Sequence, residues 1–420
     1  MPPTIPVIIS QHTEEAALCW LRRDRGVSQP HFSLSDVVNV DSQLAAHLDG
    51  LRVAGDDGWA SSVAELQWQE PAEYFVAAVL AFASGDPQRC ELVLSGAVKH
   101  EPLLRASASA LGWLSPDRAR PLITQFVTDS DAPRRCLAAS AAAIHRFDLG
   151  EHLQQALTDD DDRLRARSLR AVGELGRIDL MADVREQLHS HDLACRAAAA
   201  LTLARCAGPE SRLEPAVEAT LRDAVEKSAR DAGHCLQMLM VRTEPQRAGE
   251  LVKTWFENPS SRRDAVTGAG LLGDPALVPW LLERCDPPQL ARLAGEAFTR
   301  ITGLAIDQRP YEAEWPAGFE AGPNDDPDDE NVALDPDENL PWPNQSEIAD
   351  WWLGNRGRFT PGRRYLLGQP LDKEDWLLHV LRHGYQRQRA SAALELAARQ
   401  PTTPWFNVRA PGFRQLRIVR

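Results

Sequence analysis

Apolar residues recur mostly at i, i+3, i+4 and i+7 between residues 70 and 302, the spacing that turns one face of an α-helix toward a core. The pattern is itself repeated. Leu104-Arg105-Ala-Ser-Ala-Ser-Ala-Leu111, Arg134-Arg135-Cys-Leu-Ala-Ala-Ser-Ala-Ala-Ala-Ile144, Leu164-Arg165-Ala-Arg-Ser-Leu-Arg-Ala-Val and Cys195-Arg196-Ala-Ala-Ala-Ala-Leu each predict an Ala-rich helix. Their arginines, Arg105, Arg135, Arg165 and Arg196, stand 30, 30 and 31 residues apart. Each unit carries a second amphipathic run, as in Arg120 to Val127, His152 to Leu157, Leu180 to Leu188 and Ala276 to Leu282. Polar breaks such as Thr158-Asp-Asp-Asp-Asp162 and Ser190-His-Asp192 supply Asp and Ser caps for the next helix. The unit is a helical hairpin. A lone pair of short helices cannot bury its apolar face, so the hairpins must stack into an all-α solenoid with one continuous core. The recurring arginines read as a structural column bonded to the acidic loops, with phosphate binding as the competing reading.

The flanks break the period. Residues 1–69 predict a helical amino-terminal cap, clearest at Glu14 to Leu21 and Asp41 to Val53, with Trp59 and Trp68 as packing anchors. Residues 70–302 are the repeats, with longer spacing at 205–260. Residues 303–345 form an acidic strap or linker, and residues 346–420 a helical, basic carboxyl-terminal region with helices over Ser346 to Asn355, Lys373 to His383 and Gln388 to Arg399. Six of the twelve tryptophans follow residue 302. That richness predicts that residues 311–345 lie ordered against the repeats or the tail, while the composition of Gly322 to Glu338 alone equally suits disorder.

Charge sharpens this division. The chain of 420 residues has 46 basic and 60 acidic side chains, a net charge of −14. Residues 101–300 nearly cancel, with 26 basic and 29 acidic, whereas residues 301–360 hold 3 basic and 14 acidic and residues 361–420 hold 11 and 4. A strongly acidic chain is a poor general ligand for nucleic acid, because phosphate binding depends on Lys and Arg displacing counterions. It suits a basic protein. The simplest use of the basic tail is pairing with the strap just before it. The start of the chain has no basic leader region and no segment has the length of a membrane span, so cytoplasmic localisation is expected, with no membrane partner. Seven cysteines without a CxxC pair argue against a disulfide framework or a zinc ribbon.

Several local motifs mimic chemistry. Gly268-Ala-Gly270-Leu-Leu-Gly273 fits GxGxxG, but it follows helical Ser260 to Thr267 rather than a buried strand, so it reads as repeat helix. His379 and His383 share a helical face without the Glu of a zinc HExxH motif, and His189-Ser-His191-Asp192 reads as a cap. Asp325 to Glu338 lacks the central Gly of a calcium loop and contains Pro327 and Pro336. No nucleophile elbow and no phosphate loop occurs. The residues therefore predict no catalytic group, metal or cofactor.

The repeats resemble the short subclass of HEAT-like repeats, D-x-x-x-R-x-x-A-x-x-A-L-G-x-L-G-D-P-x-x-x-x-x-L, best at Asp162 to Leu188 and Arg263 to Leu282. Leu44 to Gly55, Trp315 to Asp335 and Arg364-Tyr-Leu-Leu-Gly368 extend the likeness to a bacterial HEAT-like family of unassigned activity, often encoded beside type VI secretion genes. That resemblance implies a non-enzymatic binding protein, an immunity protein that neutralises a secreted toxin such as a basic nuclease, as in a toxin–antitoxin pair. The alternatives are an adaptor loading an effector onto the secretion spike and a lyase-like enzyme on a HEAT scaffold. Repeat geometry offers Gln125, Gln154, Arg185, Glu218 and Lys253 on the second helices as partner contacts. The strap offers Asp325, Asp326, Asp328, Asp329 and Glu330 to a basic partner.

Overall fold

The structure, a computed structural model, describes residues 4–208, 211–323 and 333–419. It is all-α, with 22 α-helices among the described residues. The first are α1 (Pro6–Gly26), α2 (Leu34–Ala54), α3 (Asp56–Glu65), α4 (Pro71–Ser84), α5 (Pro87–Ala97), α6 (Glu101–Trp113), α7 (Pro116–Val127) and α8 (Ala132–His145). Next come α9 (Glu151–Gln155), α10 (Asp162–Leu175), α11 (Met181–Glu186), α12 (Leu193–Cys206), α13 (Pro215–Glu226), α14 (Ala232–Arg242) and α15 (Pro245–Glu257). The last are α16 (Arg262–Leu272), α17 (Val278–Glu283), α18 (Pro288–Thr302), α19 (Gln345–Asn355), α20 (Glu374–His383), α21 (Gln386–Arg399) and α22 (Gly412–Ile418). No described helix is long and apolar enough to cross a membrane.

Helix boundaries follow from capping chemistry. Proline opens α4, α5, α7, α13, α15 and α18, where its missing N–H costs nothing. Asp161 and Asp192 accept the amides of Leu164 and Cys195 to start α10 and α12. Ser33 and Asp36 form a capping box at α2.

The chain divides into two compact units. The first comprises Met1–Ser211, Ala229–Asp231 and Leu381–Arg420. In it the Ala-rich helices pack in succession, α4 on α6, α6 on α8, α8 on α10 and α10 on α12, and α5, α7 and α11 pack beside them. The alanines allow close approach: Ala197, Ala198, Ala199 and Ala200 on α12 are all buried. In this core Phe75 stacks on Trp20 and meets Trp113 edge-to-face, at 5.2 and 6.1 Å between ring centroids. Trp59 is half-buried beneath the guanidinium of Arg89. Trp68 is not a packing anchor, because it is 64% exposed.

The second unit comprises Arg212–Ser228 and Ala232–Val380. There α14 packs on α16 and α16 on α18, with α13, α15 and α17 beside α14, α16 and α18 respectively. The periodicity does not reveal its short antiparallel hairpin of β1 (Tyr365–Leu366) and β2 (Gln369–Pro370). Leu367 and Gly368 turn it with φ of 50° and 79°, and a two-residue turn with both φ positive matches the twist of paired strands.

Candidate functional site

The second helices of the first unit present a repeated polar row. Gln125 on α7, Gln154 on α9 and Arg185 on α11 are exposed. Gln154 Nε2 donates to Asp183 Oδ2 on α11 at 2.9 Å, so α9 and α11 are in side-chain contact. In the second unit Lys253 is exposed on α15, whereas Glu218 on α13 is largely covered and accepts from Arg247 Nη2 at 2.6 Å. Asp325, Asp326, Asp328, Asp329 and Glu330 lie outside the described residues.

The arginine column faces inward on its own turns. Arg135 Nη1 donates to the carbonyls of Asp129 and Ser130, and Arg196 Nη1 to those of Ser190 and His191, all at 2.9 Å. Arg165 donates to the Asp159 carbonyl and to the Asp162 carboxylate. Arg135 also reaches Asp159 Oδ2 at 2.7 Å. Arg105 instead grips both carboxylate oxygens of Asp24 at the end of α1. These bonds tie each polar turn to the helix it precedes.

A charge cluster among the described residues matches none of the sequence motifs. Glu174, near the end of α10, accepts from Arg167 at 2.8 Å and Arg170 at 3.1 Å, with Arg146 3.9 Å away. Arg170 also pairs with Asp231. Burial pushes the Glu174 carboxyl up, but Arg167, Arg170 and Arg146 outweigh it and hold the group down at about 2. The carboxyl-terminal segment closes over this point: Trp405 N donates to the Glu174 carbonyl at 2.8 Å, Arg146 donates to the Trp405 carbonyl, and Arg205 to those of Pro401 and Thr403. Farther along, Arg409 pairs with Asp24 at 3.1 Å, and Arg414 donates to the carbonyls of Gly112, Trp113 and Leu114 at the end of α6. The i, i+4 pair Arg170 and Glu174 was the available sequence signal.

The strap is used differently from the simple expectation. Asp335 and Asp337 bind arginines of α16 and α18 rather than of the tail. Arg263 makes a two-pronged contact with Asp337 at 2.9 and 2.7 Å, and Arg292 donates to Asp335 at 2.8 Å and to the Asp337 carbonyl at 2.8 Å. Arg292, only 3% exposed, is flanked by the rings of Trp315 and Trp342 at 5.4 and 4.6 Å. The strap is therefore an internal clamp here.

The motif decoys resolve similarly. Gly268 and Gly270 lie within α16, and Gly273 is its left-handed C-cap. His379 stacks on Trp376 at 4.9 Å. Burial pushes the Cys90 thiol up to about 11 and the Cys285 thiol up to about 12, where little nucleophilic thiolate forms near neutrality. Among the described residues no group of three or more His, Cys, Asp and Glu side chains is placed to hold a metal ion. Comparison with protein-family models gives no match. A search of curated proteins likewise finds no significant similarity.

Proposed function

We propose that this chain is a non-enzymatic protein-binding protein, a HEAT-like α-solenoid with a helical amino-terminal cap and a Trp-rich carboxyl-terminal region. In the type VI secretion setting of the resemblance, it acts as an immunity protein that neutralises a basic secreted toxin. The main support is the exposed row Gln125, Gln154 and Arg185, spaced by 29 and 31 residues along three second helices. Such a row forms an extended surface suited to a polypeptide. Charge supports the sign of the partner: residues 310–355 contain 13 carboxylates and no Lys or Arg. Opposite potentials accelerate encounter and suppress wrong partners.

The test is co-expression with the product of the adjacent secretion-linked gene. Growth arrest by that product alone, relieved by this chain, is the expected result, together with copurification of the two. Arrest that persists when both proteins are present and soluble overturns the immunity role.

A further inference from the structure

Trp315, in the second unit, is 51% exposed, although tryptophan is mostly buried in folded chains. It is held in place at the surface. Its Nε1 donates to the Phe319 carbonyl at 2.7 Å, and its indole meets Trp342 at 5.2 Å and Phe319 at 6.2 Å between ring centroids, with those two rings 5.5 Å apart. Arg292, 3% exposed, closes its inner side. The open half is therefore the side away from Arg292.

The inner side shows what such a ring takes. There a guanidinium lies against the indoles of Trp315 and Trp342 and is neutralised by Asp335 at 2.8 Å. The outer side has the same two components, an indole and carboxylates, because Glu312, Glu314 and Glu320 are exposed within five residues of Trp315. Glu314 comes within 3.5 Å of Arg309, but both side chains are almost fully exposed, so solvent screens that contact. An anion here would be repelled, and a purely apolar side chain would strip water from the carboxylates without replacing it. A planar, weakly hydrated guanidinium suits both components, whereas a lysine ammonium holds its water more strongly. We propose that the open side of Trp315 is a docking point for an arginine side chain of the protein partner, stacked on the indole and neutralised by the surrounding glutamates. The identity of the carrier rests on the proposed binding function, but the affinity of the site for a guanidinium does not.

The probe is acetyl-triarginine amide, titrated into the full chain while the twelve indole N–H resonances are followed, that of Trp315 being the one missing in Trp315→Leu. A saturable shift of the Trp315 resonance is expected, weakening as salt rises. Trp315→Leu leaves Arg292 its contacts with Trp342 and Asp335, so it folds, and it binds the peptide about two- to fivefold more weakly. Shifts elsewhere with Trp315 unmoved overturn the site, as does unchanged affinity in Trp315→Leu. Acetyl-trilysine amide binding as tightly as the arginine peptide overturns arginine as the occupant. In the co-expression assay, failure of the wild-type chain to rescue growth counts against the immunity role and leaves the peptide result standing. With a copurifying partner in hand, Trp315→Leu is expected to weaken that complex about fivefold or more, and equal affinity overturns a partner arginine at this point.

Discussion

Glu174 shows how much one carboxylate carries when it is enclosed. Arg146, Arg167 and Arg170 surround it, so its ionised form is required by the fold. Its folded value of about 2 lies below the unfolded value of a glutamate, about 4.3. A depressed carboxylate contributes stability that is fully present above the unfolded value and is lost as pH falls through the folded one. The contribution is on the order of 3 kcal/mol, disappearing between about pH 4.3 and 2. Glu174→Gln keeps the shape but removes the charge shared by three guanidinium groups, of which Arg170 retains Asp231, and is expected to cost about 3 kcal/mol near neutral pH. Denaturant titrations of both proteins should show a gap that is full near pH 6 and narrows toward pH 2. A gap independent of pH would sink this account. In the sequence Glu174 is marked only by its i, i+4 spacing from Arg170, a spacing too common on helices to single out a site, while Arg146, and the Asp231 that pairs with Arg170, come from other segments.

At the scale of the element, the common problem is the carbonyls at a helix's carboxyl end, which lack intrahelical partners. Both units solve it with segments from far along the chain. In the second unit the Tyr365 amide donates to the Gly273 carbonyl at 2.8 Å, Leu367 and Gly368 donate to Arg300 and Ile301 of α18, and Arg364 Nε donates to Leu272 at 2.9 Å. The repeat register and α19, α20 and α21 could be read from periodicity, since local spacing determines them, whereas the 7 residues of α22 were too few to show a period. The hairpin could not, because its two-residue strands are too short to show alternation. Two glycines of the false GxGxxG motif separate the effects. A Cβ at Gly270 would lie 2.9 Å from Ala297 Cα, and one at Gly273 would lie 2.3 Å from the Tyr365 carbonyl oxygen at a φ of +75°. Gly270→Ala is expected to cost about 1–3 kcal/mol from crowding α16 against α18, partly offset by about 1 kcal/mol of helix propensity. Gly273→Ala adds the left-handed penalty of about 1–2 kcal/mol and displaces the hairpin. Hydrogen exchange at the Tyr365 amide should therefore accelerate in Gly273→Ala and stay protected in Gly270→Ala.

On the scale of the molecule, the first unit is discontinuous, with Leu381–Arg420 belonging to the same body as the amino-terminal helices. The net charge of −14 says nothing of this, because the segment that returns is basic and binds mainly carbonyls and aspartates inside that body. Arg23 illustrates the arrangement: its guanidinium donates to Asp41 at 2.6 Å and to the Arg409 carbonyl at 2.8 Å, while Asp41 accepts the Gly412 amide at 2.6 Å. A chain ending after Gln400 loses the partners that Pro401, Thr403 and Trp405 provide to Arg205 and Arg146, and the Arg414 bonds that close α6. Arg205, 1% exposed in the intact chain, then loses the two carbonyls that bind its guanidinium. Each such loss costs on the order of 1–3 kcal/mol, so the truncated chain is expected to melt well below the intact one. The location of the change is the sharper test. Amide exchange should rise at the carboxyl ends of α6 and α10, whose carbonyls Arg414 and Trp405 close, while the ends of α16 and α18 keep the closure given by Arg364, Tyr365, Leu367 and Gly368. Uniform loss of protection, or none at these two helix ends, would show that the tail is not their closing element.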